Sequence, residues 1–314
     1  MHNKYIFSNI VGVFVFSEHF KLLDKKMFSN SEQYADKENI EKEFSKKYKN
    51  LKKPSGKELE NILVFLKDEQ FFDGFYAMNM ELTKKLIKDS VKDDLLIIQT
   101  ISSIREIDRI VNIMIKRLRE WYALHNPEFE HSIKDQEKFV ELVINKDKKE
   151  LLGKLDVDIE DSMGAEFTKD NLEPIINLAK EVNGFYSLKK KQVEYLDGLM
   201  KKVCPNMLAI TGSLIGAKLM DQAGGLKNLM EFPASTIQLL GAEKALFRHM
   251  KTGAKSPKFG FLHEHPLISQ NPKQIQGKIA RTLADKICLA VKVDYFKGEF
   301  IGDKLLKKIE DKFK

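Results

Sequence analysis

The chain has 314 residues, 43% hydrophobic and 32% charged, with a net charge of +7. That is enough apolar material for two or three globular domains, and it excludes a disordered or fibrous chain. No apolar run reaches the roughly 18–20 residues of a membrane helix, and the first twenty residues lack the basic start and small-residue cleavage site of a signal peptide. Two cysteines, Cys204 and Cys288, are too few for a disulfide framework and read as buried packers in a reducing compartment.

The charge is not evenly spread. Residues 205–314 carry 18 Lys and Arg against 10 Asp and Glu, so the rest of the chain is close to neutral. A localised excess argues for a polyanion-binding module, set against the simpler reading of a solvated Lys-rich surface.

Residues 1–90 read as a small α+β domain. Ile10–Phe16 and Phe20–Phe28 are strand-like and joined by a short turn, which suggests a hairpin. Residues 36–53 are helical or loose, and Pro54-Ser55-Gly56 breaks them. Ile62–Leu66 and Phe71–Met80 follow, the latter ambiguous between strand and helix.

Residues 91–204 read as a helical hairpin. Ile97, Ile101, Ile104, Asp108, Val111, Ile115, Leu118 and Tyr122 keep heptad spacing with one polar break at Asp108. Leu172, Ile175, Ala179, Val182, Tyr186, Lys189, Val193, Leu196, Met200 and Val203 do the same, with Lys189 off pattern. Thr168 is positioned as the N-cap of that second helix. Second stripes (Ile107, Ile110, Met114 and Trp121; Leu178, Phe185 and Leu199) offer apolar surface to another hairpin. Self-association is therefore expected through Ile97, Ile101, Ile104, Val111, Ile115, Leu118, Leu172, Ile175, Val182, Tyr186, Val193 and Leu196. A bundle closed within one chain is the competing reading.

Residues 205–314 read as all-helical. Gly212 and Gly216 suggest close helix packing, and Gly224-Gly225 a stop. Asn271 stands where an N-cap would precede Pro272 and a helix to about Val293. Between the helices, residues 238–281 combine eight Lys and Arg with two acids, several glycines, Phe247 and Phe259. Cations, glycine turns and a few rings suit a phosphate backbone and one or two extruded bases. Phe247 is read either as a base contact or as core.

Catalytic signals are negative. There is no GxGxxG or GxxxxGK[ST] loop, no CxxC and no GxSxG. His263-Glu264-His265 is a poor metal motif, since histidines two apart diverge on a helix and Pro266 follows. No metal site is expected.

Three segments, 118–128, 205–268 and 277–296, resemble the Nop-domain family, in particular the archaeal scaffold subunits of box C/D ribonucleoproteins. The family's GAEK motif stands here as Gly241, Ala242, Glu243 and Lys244, its ALFR motif as Ala245, Leu246, Phe247 and Arg248, its TGAKxPKxG loop as Thr252–Gly260, and GKIAR as Gly277–Arg281. Asn126 replaces the Phe of an LHFPE motif. The chain ends without the long Lys/Glu tail of eukaryotic members, which points to an archaeal, cytoplasmic protein; a eukaryotic one would be nucleolar.

The resemblance implies a multidomain, mainly α architecture. Residues 1–90 would dock fibrillarin, 91–204 would form an antiparallel coiled-coil hairpin that makes a homodimer, and 205–314 would form an all-helical Nop domain. That domain would hold kink-turn guide RNA together with a kink-turn-binding protein of the ribosomal type. Its RNA-binding residues would be Gly241, Ala242, Glu243, Lys244, Ala245, Leu246, Phe247, Arg248, His249, Lys251, Lys255, Lys258, Lys278 and Arg281, with Lys244, Arg248, Lys251, Lys255, Lys258, Lys278 and Arg281 lining one surface. Glu243 would accept from a base. The chain itself would be a non-catalytic scaffold without a cofactor, S-adenosylmethionine belonging to fibrillarin. The alternatives are a splicing-type Nop protein, which the N-terminal hairpin argues against, and an RNA-modifying enzyme in its own right, which the missing cofactor loop argues against.

Overall fold

The computed structural model describes residues 3–313, and the chain divides into two compact units, residues 1–92 and 93–314. In the first unit, β1 (Lys4–Asn9), β2 (Gly12–Phe16), β3 (Leu22–Met27) and the short β4 (Leu51–Lys52) form a sheet of order β3-β2-β1-β4. β2 pairs antiparallel with both neighbours, so the hairpin read from residues 10–28 is β2–β3. All five residues of β2 are buried, which explains a continuous apolar run where a half-exposed strand would alternate.

Three helices cover the sheet: α1 (Lys37–Lys47), α2 (Lys57–Phe65) and α3 (Glu69–Ser90). Phe14 and Phe16 meet Phe71 of α3 and Phe65 of α2 edge-on, at 5.6 and 5.4 Å between ring centres. The ambiguous stretch 71–80 is helical. Phe71, Gly74, Met78 and Leu82 recur at helical spacing toward the core, and the Asp68 carboxylate caps α3 by accepting from the Gln70 amide.

The second unit is built on α4 (Asp93–Tyr122) and α8 (Lys169–Val203), an antiparallel pair. Thr168 caps α8, its hydroxyl accepting from the Asn171 amide. The two polar breaks in the heptads are each other's partner: Lys189 Nζ lies 2.5 Å from Asp108 Oδ1. Between these helices, α5 (Pro127–Ser132), α6 (Gln136–Asn145) and α7 (Lys148–Gly153) form a small helical cap. Asn126 is fully buried and serves as the N-cap of α5, its Oδ1 accepting from the Phe129 amide at 3.1 Å.

The expected dimer seam is already occupied inside one chain. Ile97, Ile101, Ile104, Val111, Ile115, Leu118, Ile175, Val182 and Leu196 are buried by the hairpin itself and its neighbours. Leu172, Tyr186 and Val193 are half-buried. The second stripe is shared out as well. Ile107, Leu178 and Phe185 pack into the core that α6 closes, while Ile110 and Trp121 stay exposed.

Among the described residues the further α-helices of the unit are α9 (Pro205–Ala223), α10 (Leu226–Glu231), α11 (Ala234–Leu239), α12 (Glu243–Thr252), α13 (Pro266–Ser269), α14 (Lys273–Tyr295) and α15 (Gly302–Phe313). Their core is continuous with the root of the hairpin, since Ile97, Ile101, Leu196 and Met200 join Met207, Ile210, Leu283 and Ile287 in one cluster. Residue 204 is thus a joint between helices within one core.

The start of α9 is capped from a distance. The buried Asp294 carboxylate on α14 accepts from the amides of Asn206 and Met207 and from Asn206 Nδ2, at 2.8–3.0 Å. Burial pushes its pKa above the ordinary carboxylate value, against the pull of these three donors. Asn206 Oδ1 in turn accepts from the Ile301 amide and holds the lead into α15.

Gly212 breaks α9 with φ +70°, a conformation open to glycine. Gly216 instead serves close packing, because a Cβ there would lie 2.6 Å from Met200 Cε. Asn271 is not the cap of α14. Its side chain donates to the Leu267 carbonyl, and Pro272 takes the N-cap position without a side-chain bond.

Candidate nucleic-acid interface

The basic segment forms a helix and a loop mounted on this core. Gly241 turns the chain at φ +89°, and a Cβ there would meet the Phe261 ring at 2.8 Å. Ala242 then precedes α12, which has no buried residue. At about 100° per residue, Lys244, Phe247, Arg248 and Lys251 fall within roughly 100° of arc on α12. Phe247 is 55% exposed and so is not core. Lys251 Nζ sits 4.8 Å from its ring centre. Ala245 is exposed, and Leu246 turns inward to line a shallow cavity with Ser235, Thr236 and Leu239.

Glu243 has a local use. Its Oε1 accepts from the Gly241 amide at 2.7 Å, fixing the turn into α12. The expectation that this carboxylate is kept for a base is corrected to that extent: it satisfies an amide at the helix start that no intrahelical carbonyl can reach. His249 is also structural, its Nδ1 bonded to the Ala254 carbonyl beyond the Gly253 C-cap.

The loop after α12 is pinned to α11. The Gly260 amide donates to the Gln238 carbonyl at 2.9 Å, the Phe261 amide to Leu240 at 2.8 Å, and Gln238 Nε2 to the Lys258 carbonyl at 2.6 Å. These bonds carry Lys258 to the flank of α14. There it borders a concave groove of about 750 Å³ with Gln274, Lys278, Arg281 and Lys312. A second stretch of about 780 Å³ continues past Arg281 to Lys286 and Lys308.

The expected single surface is therefore two neighbouring ones. Lys258, Lys278 and Arg281 line the groove, whereas Lys244, Phe247, Arg248 and Lys251 stand on α12 outside its lining, and Lys255 lies on the loop between. The lysines of α15 were not singled out in the sequence. They come from the amphipathic run KLLKKIEDKF, whose buried Leu305 and Ile309 turn the lysines outward.

The histidines of the His263-Glu264-His265 segment have separate structural duties. Glu264 pairs with Lys218 at 2.6 Å. Buried His265 accepts from the Leu267 amide at Nδ1, so Nε2 carries the proton and donates to the Ile210 carbonyl beside the break in α9. Burial lowers its pKa, the usual direction for a desolvated imidazole. Among the described residues no cluster of His, Cys, Asp or Glu could hold a metal ion, and no helix is long and apolar enough to cross a membrane.

A basic helix and loop fixed on a rigid helical core is the arrangement that the sequence motifs predict. A family model described as "snoRNA binding domain, fibrillarin", the Nop model, matches residues 103–314. The chain belongs to the Nop family. It is 38% identical over 256 residues to an uncharacterized NOP5 family protein of Methanocaldococcus jannaschii, covering 77% of this chain and 62% of that one. It is 38% identical over 237 residues to nucleolar protein 58 of Aspergillus clavatus, covering 69% and 40%. The chain thus spans less than two thirds of the length of these Nop relatives. A chain in the crystal structure of a fibrillarin/Nop5p complex aligns over 98% of both chains with a TM-score of 0.47 and 20% identity.

Proposed function

We propose that this Nop-family chain is a non-catalytic scaffold of a box C/D guide ribonucleoprotein. It binds kink-turn RNA jointly with a kink-turn-binding protein and recruits fibrillarin, which carries S-adenosylmethionine and performs 2′-O-methylation. The observation that carries this reading is α12. It is a helix with no buried residue, held by capped turns at both ends, which presents Phe247 among Lys244, Arg248 and Lys251. An exposed ring among cations suits a base stacked beside its phosphates.

Two other surfaces support the remaining contacts. On α3, the positions Phe72, Phe75, Tyr76, Asn79, Met80, Thr83, Leu86 and Ile87 share one uncharged face that is largely exposed. That chemistry suits a protein partner, and we assign it to fibrillarin. On the hairpin, Ile110, Ile113, Trp121, Leu188 and Tyr195 stay exposed and suit a second copy of the chain.

Reconstitution tests the reading. The full chain, fibrillarin, the kink-turn-binding protein and guide RNA are combined with labelled methyl donor and a target strand. Methyl transfer is expected only when all are present. Turnover by this chain without fibrillarin refutes the scaffold role.

A further inference from the structure

The groove beside the motif loop has a wall that no local motif announces. Its two stretches share Ser235, Gln238, Arg281, Thr282 and Lys312, so they run into one another. Lys278 and Arg281 project from α14, Lys258 from the loop, and Lys308 and Lys312 from α15. Among the described residues none of these five cations is paired with a carboxylate. The lining's one acid, Asp285, is engaged by Lys286 at 2.9 Å. Lys312 donates to the neutral Thr282 hydroxyl at 3.2 Å and so keeps its charge available.

We propose that α15 is the second wall of a phosphate-backbone groove, and that Lys308 and Lys312 belong to the RNA footprint of this chain. The proposal rests on the RNA-binding reading above and extends it to a helix outside the motifs. Unneutralised cations on three elements, lining two connected stretches of about 750 and 780 Å³ that are too large for a single small anion, match the repeated charge of a nucleic-acid strand. An acidic protein partner is the weaker match. Protein interfaces concentrate apolar and aromatic groups at their centre and deplete charge there, whereas cations occupy this groove along its length.

The test is the salt dependence of binding to a box C/D kink-turn RNA, with the kink-turn-binding protein present. The full chain is compared with Lys308→Gln, with Lys308→Gln/Lys312→Gln and with Lys278→Gln/Arg281→Gln. Lys308 is exposed and among the described residues makes no hydrogen bond or ion pair, so its variant keeps the parent melting temperature. The α15 double variant is expected to lower the slope of log affinity against log salt by roughly one to two units and to weaken binding about tenfold or more in dilute salt. If both α15 variants keep the parent slope while Lys278→Gln/Arg281→Gln lowers it, α15 lies outside the footprint and only this proposal falls. If the full chain with its partner binds no RNA, the functional reading itself falls. If poly-glutamate binds the parent but not the α15 double variant, and RNA bound to the parent neither displaces it nor is displaced by it, the groove belongs to an acidic protein, and the proposal is overturned.

Discussion

Substituting Gly260 by Ala adds one methyl group where the backbone leaves no room. The new Cβ would lie 1.8 Å from the Leu240 carbonyl oxygen, 2.5 Å from its carbon and 2.8 Å from the Leu239 oxygen. These are backbone atoms at the end of α11, so no rotamer change relieves the clash. The strap between residues 238–240 and 260–261 must open, which breaks the Gly260–Gln238 and Phe261–Leu240 bonds and loosens the Gln238–Lys258 bond. Each buried bond left unmade costs about 1–3 kcal/mol, so the loss is about 2–5 kcal/mol after partial relaxation. For a unit of this size each kcal/mol moves the melting temperature by about 2–4 °C, which gives a fall of about 4–20 °C. Lys258 leaves the groove with the strap, so RNA affinity should fall about tenfold or more at a temperature where the variant is still folded. Gly253→Ala is the control. It also adds one methyl, but nothing lies within 4 Å of the new Cβ, and only the left-handed backbone (φ +67°) resists it, at about 1–2 kcal/mol. Thermal unfolding by circular dichroism and RNA binding by fluorescence anisotropy measure both. A Gly260→Ala protein that melts with the parent and binds RNA equally well would refute the claim that this strap positions Lys258.

Asp294→Ala strips three donors of their buried acceptor and should destabilise the second unit by about 3–5 kcal/mol in denaturant titration; a loss below about 1 kcal/mol would mean that the start of α9 is held by packing alone. His265 is neutral in the fold with its pKa lowered by burial, so its stabilising contribution is complete above the ordinary histidine pKa near 6.5. That contribution is lost as pH falls from there toward the folded value, because the unfolded chain takes the proton first. A His265→Gln variant should therefore show a shallower loss of stability between about pH 6.5 and 5 than the parent, and identical slopes would exclude His265 as the cause. Phe247→Ala should leave the melting temperature unchanged and weaken RNA binding by about 1–3 kcal/mol, the range for one lost base stack; a lower melting temperature with intact binding would return Phe247 to the core. Ile115 is fully buried and Ile113 is 68% exposed. Ile115→Glu should therefore unfold the hairpin, while Ile113→Glu should keep the fold and shift sedimentation from dimer to monomer; a parent that already sediments as a monomer would remove the self-association claim.

The local order of this chain was largely written in its periodicities. The heptads of residues 97–122 and 172–203 fixed two long helices, because a seam repeated every seven residues can face a neighbour only if the backbone is helical. The β2–β3 hairpin, the Thr168 cap and the Gly224 stop were legible for the same reason: each is decided by residues a few positions apart. The candidate site was legible as a composition, a basic glycine-rich stretch with one ring on it. Periodicity could not say which face of the hairpin was spoken for, and α6 claimed part of what had been left for a second copy. Nor could it assign Glu243, whose partner is an amide two residues back, or pair Asp108 with Lys189, or bring Asp294 to the start of α9 across 88 positions. The groove is the clearest case. Its cations come from three segments, and α15 reaches it only because Leu305, Ile309 and Gly302 pack that helix into the core against α9 and α14. Local sequence sets backbone conformation through short-range sterics and hydrogen bonds, whereas the meeting of distant charges is decided by which apolar faces bury each other.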